Sequence, residues 1–156
     1  MSQISMHEIA GKWHVVETNF PMWLKGDKLN PTLNYTMVLR SDQEVLLDEV
    51  KYEQSGKIKT ISGYDYPDTE NPNGYIWQGK GLLYFFKSKW EIILADPHKQ
   101  WAVSWFSKTL FTPEGVEIIS RTATLPETTI AAIKEAMKHD AMLAKFVNTL
   151  KPLPKK

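Results

Sequence analysis

The sequence contains no cysteine, which excludes disulfides, thiolate metal sites and a cysteine nucleophile together. It also lacks any long hydrophobic run. The longest, Leu82 to Phe86, is far short of the ~18 apolar residues that mark a membrane-spanning helix, so no transmembrane segment is expected. Nor does one sign of charge dominate: 19 Lys and Arg against 18 Asp and Glu leave a net charge of +1. Without a basic field there is nothing to attract a polyanion, and nucleic acid is not an expected partner. The opening stretch Met1 to Glu8 has neither a basic start nor an apolar core and does not read as a signal peptide, so a cytoplasmic location is expected.

What the chain does have is aromatic residues, with six Trp, six Tyr and six Phe among 156. A composition of 42% hydrophobic and 24% charged residues is that of a globular domain, expected to span residues 1–150 before a frayed tail at 151–156. From Lys12 to Thr122 short runs rich in Val, Ile, Tyr, Trp and Thr alternate with turn residues, the pattern of consecutive strands. Eight are expected: Lys12–Asn19, Leu33–Ser41, Glu44–Glu53, Lys57–Tyr66, Tyr75–Gly79, Trp90–Ala95, Trp101–Ser107 and Val116–Thr122. Hairpin turns fall at Ser41-Asp42-Gln43, Gln54-Ser55-Gly56 and Pro113-Glu114-Gly115, with a longer loop at 68–74. Successive strands joined this way form an antiparallel up-and-down sheet, and without helices on both faces the sheet closes into an eight-stranded barrel. After Thr122 the period changes. Thr124 as N-cap, Pro126 and Glu127 announce a helix of about three turns with Ile130, Ile133, Ala136 and Met137 on one face. A second short helix is expected from Asp140, and Phe146–Leu150 reads as a last strand.

Several motifs in this order carry a resemblance. Gly11-Lys12-Trp13 is similar to the Gly-x-Trp opening of the lipocalin family, within the calycin superfamily, and Met6 to Ala10 fits the short helix that precedes it. Ile118 to Leu125, with Arg121 inside it, resembles the final barrel strand of bacterial and plant-type lipocalins, where an arginine packs across the first strand's tryptophan. Trp90 to Asp96 followed by Trp101-Ala102-Val103 looks like the family's strand, Asp-containing turn and next strand, with Lys99 where an aromatic is usual. The segment Gln78 to Phe86 has no counterpart among common members. The resemblance implies a β-barrel that binds and carries a small hydrophobic ligand, such as a fatty acid, lysophospholipid or isoprenoid-like molecule. It makes Gly11, Trp13 and Arg121 structural, with the guanidinium adding a cation–π contact over the indole.

Alternate residues of a barrel strand point inward, so parity selects the lining. An inward Trp13 brings Val15 and Glu17 with it, and an inward Arg121 brings Ile119 and Glu117. Strand two turns Tyr35, Met37 and Leu39 inward. In strand three Leu46 and Leu47 compete for the inner face, and Leu47 is assigned to it. The next two strands offer Trp77, then Trp90, Ile92 and Leu94. For the seventh, composition favours Trp101, Val103 and Trp105 inside, whereas the resemblance places Ala102, Ser104 and Phe106 there, and the latter is followed. Glu17 is either a carboxylate in an apolar lumen, positioned to bond a ligand hydroxyl or amine, or a partner of Arg121 or solvent. The expected ligand set is therefore Val15, Glu17, Tyr35, Met37, Leu39, Leu47, Trp77, Trp90, Ile92, Ser104, Phe106 and Ile119.

Catalytic parts are sparse. There is no Gly-x-Ser-x-Gly elbow, the four histidines share no motif, and neither a metal-ligand spacing nor a cofactor-binding motif occurs, so no metal or cofactor is expected. Two alternatives to ligand carriage stand. One is a calycin-type enzyme using carboxylates, with Asp48, Glu49 and Asp65 as candidates, although carboxylates on strands are usually solvated. The other is a filled barrel that forms a homodimer through exposed Trp101 and Trp105. The expected partner is a small hydrophobic molecule, with peripheral membrane contact and either monomer or homodimer open.

Overall fold

Residues Ser41 and Asp42 (φ 50° and 63°) and Ser55 and Gly56 (φ 54° and 75°) each form a two-residue turn with both φ positive. Such turns match the twist of the strands they join and make tight hairpins. The computed structural model describes residues 3–155, in which these hairpins connect β2 (Leu29–Arg40) to β3 (Gln43–Gln54) and β3 to β4 (Lys57–Pro67). Around them run α1 (Met6–Ile9), β1 (Gly11–Thr18), α2 (Pro21–Leu24), β5 (Gly74–Gly79), β6 (Lys87–Ala95), β7 (Trp101–Phe106), β8 (Gly115–Ser120), α3 (Glu127–Lys138) and β9 (Lys151–Pro152). Neighbouring strands pair antiparallel from β2 through to β8, then β1, and β1 pairs with β2 to close an eight-stranded up-and-down barrel. All eight expected strands are present.

The differences have local causes. Strand β2 starts at Leu29 and β6 at Lys87, three or more residues before their hydrophobic runs, because ladder bonding extends through polar residues. The N-cap of α3 is Pro126 rather than Thr124, whose carbonyl instead accepts the Thr122 hydroxyl at 2.7 Å. Phe146–Leu150 is not a strand. Leu143, Phe146, Val147 and Leu150 are buried at spacings of three and four, a helical stripe, and Ala144–Thr149 forms a 3-10 helix. Asp140 caps the turn before it, accepting from the backbone of Met142 and Leu143. The tail expected to fray instead pairs Lys151 and Pro152 with Thr18 and Glu17, and Leu153 packs against the interior.

Two apolar layers result. One lies inside the barrel around Trp13, Leu46, Ile92 and Ile119. The other lies outside, where Ile133 and Met137 of α3 cover Val103, Val116 and Ile118, with Trp101 and Trp105 half-buried at its edge. The tryptophans of β7 thus face α3 rather than the lumen, and they do not form the exposed patch that a homodimer through them would need.

Candidate ligand cavity

In an up-and-down barrel the even and odd connections gather at opposite ends. At one end the chain seals the lumen. The capping box of Ser5 and Glu8 starts α1, whose Ile9 is fully buried and whose Ile9 carbonyl accepts the Trp13 indole N–H at 2.8 Å. Arg121 lies over that indole at 3.7 Å from the ring and donates to the carbonyls of Glu8 (2.6 Å) and Lys12 (3.2 Å). Gly11 is at φ +107°, and a Cβ there would stand 3.0 Å from the guanidinium. The three residues read as structural therefore interlock, tying α1, β1 and β8 together.

The other end is open. A cavity of about 880 Å³ enters the barrel there, within the size range of small-molecule sites. Its wall holds Leu33 and Tyr35 of β2, Asp48 and Val50 of β3, Trp77 of β5, Trp90 of β6, Phe106 of β7 and Glu117 of β8. Trp90 stacks with Tyr75 (4.6 Å between centroids), Tyr35 (5.6 Å) and Phe106 (6.0 Å), so one aromatic group spans most of the barrel's width. Gly63 has no side chain where the Trp77 indole crosses the backbone, and any Cβ there would collide with it. At the mouth, Phe20 and Trp23 of the β1–β2 connection pack on Phe106 and Tyr52, partly closing the opening. Two further loops complete the rim, supplying Leu83, Phe85 and Phe86 from one and Leu110 and Phe111 from the other.

Three carboxyl groups are buried in this apolar setting: Asp48, Asp65 and Glu117. The Trp90 indole donates to Asp65 at 2.9 Å and the Trp23 indole to Glu117 at 3.1 Å. Asp48 Oδ1 and Asp65 Oδ2 find no N–H or hydroxyl donor, and the two carboxyls are within hydrogen-bond reach of each other, so a proton on one bonds the other. Asp48 and Asp65 are one diagonal step apart on adjacent strands, since Asp48 faces Gly63 and Asp65 faces Leu46 across the ladder. Burial raises both above the ordinary carboxylate range, and their mutual proximity raises Asp65 further. Burial also raises Glu117, to about 8, with the nearby Asp48 adding to the shift and the Trp23 bond opposing it.

The expected ligand set divides accordingly. Tyr35, Trp77, Trp90 and Phe106 line the cavity. Val15, Ile92 and Ile119, with half-buried Met37 beside them, face inward but belong to the packed layer beneath it, and Ser104 is buried facing inward opposite Glu117. Three residues are elsewhere. A bulge between Val15 and Glu17 reverses the alternation of β1, so Glu17 faces α3 and pairs with Lys134 at 2.8 Å, neither in the lumen nor on Arg121. Leu39 follows the inward parity of β2 but projects beyond the sealed end, 69% exposed. Leu47 faces outward, because Leu46 takes the inner position.

Asp48 and Asp65, expected on a solvated face, are buried inside instead. The signal for Asp48 was present in the sequence: Leu46, Asp48, Val50 and Tyr52 alternate with Leu47, Glu49, Lys51 and Glu53, and only the first set makes an inner face. For Asp65 the alternation of β4 carries no such signal, since the flanking Tyr64 and Tyr66 are aromatic yet lie on the opposite face from the buried Asp65. Arg40 stacks on the outer face of Tyr64 at 4.0 Å and so gives that aromatic a role in solvent. The rim residues had no periodic signal at all, since they lie in loops.

An eight-stranded barrel with one sealed end, one open cavity and a C-terminal helix packed on its outside defines a class of small-molecule-binding folds. The chain has the lipocalin fold. It is similar to insecticyanin from the tobacco hornworm Manduca sexta, with a TM-score of 0.72 at 12% identity over 100% of this chain and 83% of that one. The siderocalin Ex-FABP, described as functioning through dual ligand specificities, matches with a TM-score of 0.66 at 16% identity, covering 96% of this chain and 95% of that one. Apocrustacyanin C2 matches with a TM-score of 0.68 at 14% identity, over 96% and 78%. No protein-family profile matches the chain, and no curated protein matches it.

Proposed function

We propose that this protein binds and carries a small hydrophobic molecule, of the size of a fatty acid, lysophospholipid or isoprenoid, in the barrel lumen. The observation that carries this reading is the open cavity of about 880 Å³ walled by aromatic and aliphatic side chains. Each 100 Å² of apolar ligand surface buried there contributes roughly 2.5 kcal/mol, and a few polar groups suffice to orient it. The siderocalin neighbour, with its dual ligand specificities, supports binding as the use of this fold. Peripheral contact with a lipid surface belongs to the same reading, because the rim ends in exposed Phe85, Leu110 and Phe111 with Lys87 and Lys108 beside them.

Native mass spectrometry of the purified protein, followed by titration with a fluorescent fatty acid, tests the proposal. Trp23, Trp77 and Trp90 border the cavity, so a bound ligand changes tryptophan emission. Saturable one-to-one binding that is lost in Leu33→Arg supports carriage. An empty mass, with no binding of any apolar probe, overturns it. One observation favours the enzymatic alternative: a buried pair of neighbouring carboxyls, Asp48 and Asp65, is suited to proton transfer. Turnover of an apolar substrate that is abolished in Asp48→Asn would establish that alternative.

A further inference from the structure

The lumen is chemically lopsided. Its rim carries Lys87 and Lys108, whereas deeper in the wall every charged group among the described lining residues is an acid. Glu117 and Asp65 each have an indole donor that accounts for one oxygen. Asp48 does not. It is 6% exposed, it stands in the cavity wall, and the only side chain within hydrogen-bond reach of it is the Asp65 carboxyl, a bond that needs a proton on one of the two acids. Two buried carboxyls that share one proton satisfy each other but keep a negative charge between them, and the wall supplies no cation to balance it.

Around it stand electron-rich rings. Tyr35 is directly opposite Asp48 on β2, and Tyr35 stacks on Trp90, which in turn stacks on Phe106. Ring faces attract cations, and carboxylates neutralise them. An anionic head group placed at the same depth would meet two acids of the wall, Asp48 and Glu117, with Asp65 behind them, and no basic side chain.

We infer that the deep part of the cavity is a subsite for a positively charged amine, so that the carried molecule is an apolar amine seated with its nitrogen at Asp48 and its hydrocarbon toward the mouth. The inference rests on the carrier reading and names the ligand class for that same cavity. The groups facing Asp48 are Tyr35 from β2, Asp65 from β4 and Glu117 from β8, with Tyr75 of β5 beside Asp65 and Glu49 on the outer face of its own strand. None of them supplies a competing positive charge. Burial lifts Asp48 to about 6, so below that pH an arriving ammonium displaces its proton to solvent, and amine affinity rises with pH up to about 6.

Titrations with decylamine, decanol and decanoate, which share one chain and differ only in the head, separate this inference from the reading it depends on. Decylamine is expected to bind at least tenfold more tightly than the other two, with proton release below about pH 6 measurable by calorimetry in buffers of different ionisation enthalpy. Asp48→Asn, which keeps the side chain's shape, is expected to abolish that preference while decanol binds as before, and the retained decanol binding also reports that the barrel is intact. Equal binding of amine and alcohol, tightest binding of decanoate, or a preference that survives Asp48→Asn would overturn the amine subsite and leave carriage standing. If none of the three binds, both readings fail.

Discussion

The two ends of the barrel are made by the same strands and obey opposite rules. At the sealed end the two central polar groups are answered: the indole of Trp13 by the Ile9 carbonyl, the guanidinium of Arg121 by two carbonyls and a ring face. At the open end apolar side chains are left to solvent, with Phe85 89% and Leu110 95% exposed, and a carboxyl in the wall below has only another acid, Asp65, to bond. A fold held only by burial would have no reason for the second arrangement. The contrast assigns stability to one end and recognition to the other, and each assignment can be broken by substitution.

The largest effect belongs to the sealed end. Trp13→Ala removes a fully buried indole and leaves a cavity under Arg121, and is expected to lower the free energy of unfolding by about 3–5 kcal/mol. Urea denaturation followed by circular dichroism reads this directly. A loss below about 1 kcal/mol would mean that the sealed end is not where the fold is held.

The next effect comes from the acids of the lumen. Glu117 titrates at about 8 in the folded chain against an ordinary 4.5. Between those values the folded state holds a proton that the unfolded chain has given up, so stability falls as pH rises from about 4.5 to about 8. Each tenfold difference in proton affinity between the two states is worth ~1.4 kcal/mol, and the loss therefore amounts to a few kcal/mol. Glu117→Gln, which cannot ionise, is expected to flatten that slope, and thermal unfolding of both proteins between pH 5 and 9 checks it. Parallel curves for the two would show that Glu117 does not carry the linkage.

The same contrast explains what could be read in advance. Strand order, hairpins and the Trp13–Arg121 lock were legible because each depends on local pattern: period-two alternation, turn chemistry, or a motif a few residues long. Glu17 was not, since a single inserted residue in β1 reverses its face and leaves no mark in the composition. Leu47 against Leu46 turned on a longer window of the same strand, where the charged residues Glu49, Lys51 and Glu53 identify the outer face. The segment at 80–86 and the loop at 107–114 have no periodicity, and their place at the mouth follows only from barrel closure. What could not be read in advance thus lies where local pattern is weakest, in loops and at a slip of register.

The smallest effect on stability is expected at the rim, and there it discriminates most. Phe85 and Leu110 bury little surface in the folded chain, so Phe85→Ser with Leu110→Ser should change the free energy of unfolding by no more than about 0.5 kcal/mol. If these side chains serve a lipid surface, the pair of substitutions removes the apolar anchor while Lys80, Lys87 and Lys108 keep their charge. Co-sedimentation with vesicles containing anionic phospholipid should then drop, whereas binding of decanol should weaken by no more than about twofold, because both residues border the cavity only at its exposed rim. Unchanged sedimentation would assign the exposed aromatics to something other than a membrane. Unchanged sedimentation together with decanol binding weakened beyond that would make the rim part of the ligand site itself, extending recognition upward from the floor and narrowing the contrast between the two ends to a matter of packing.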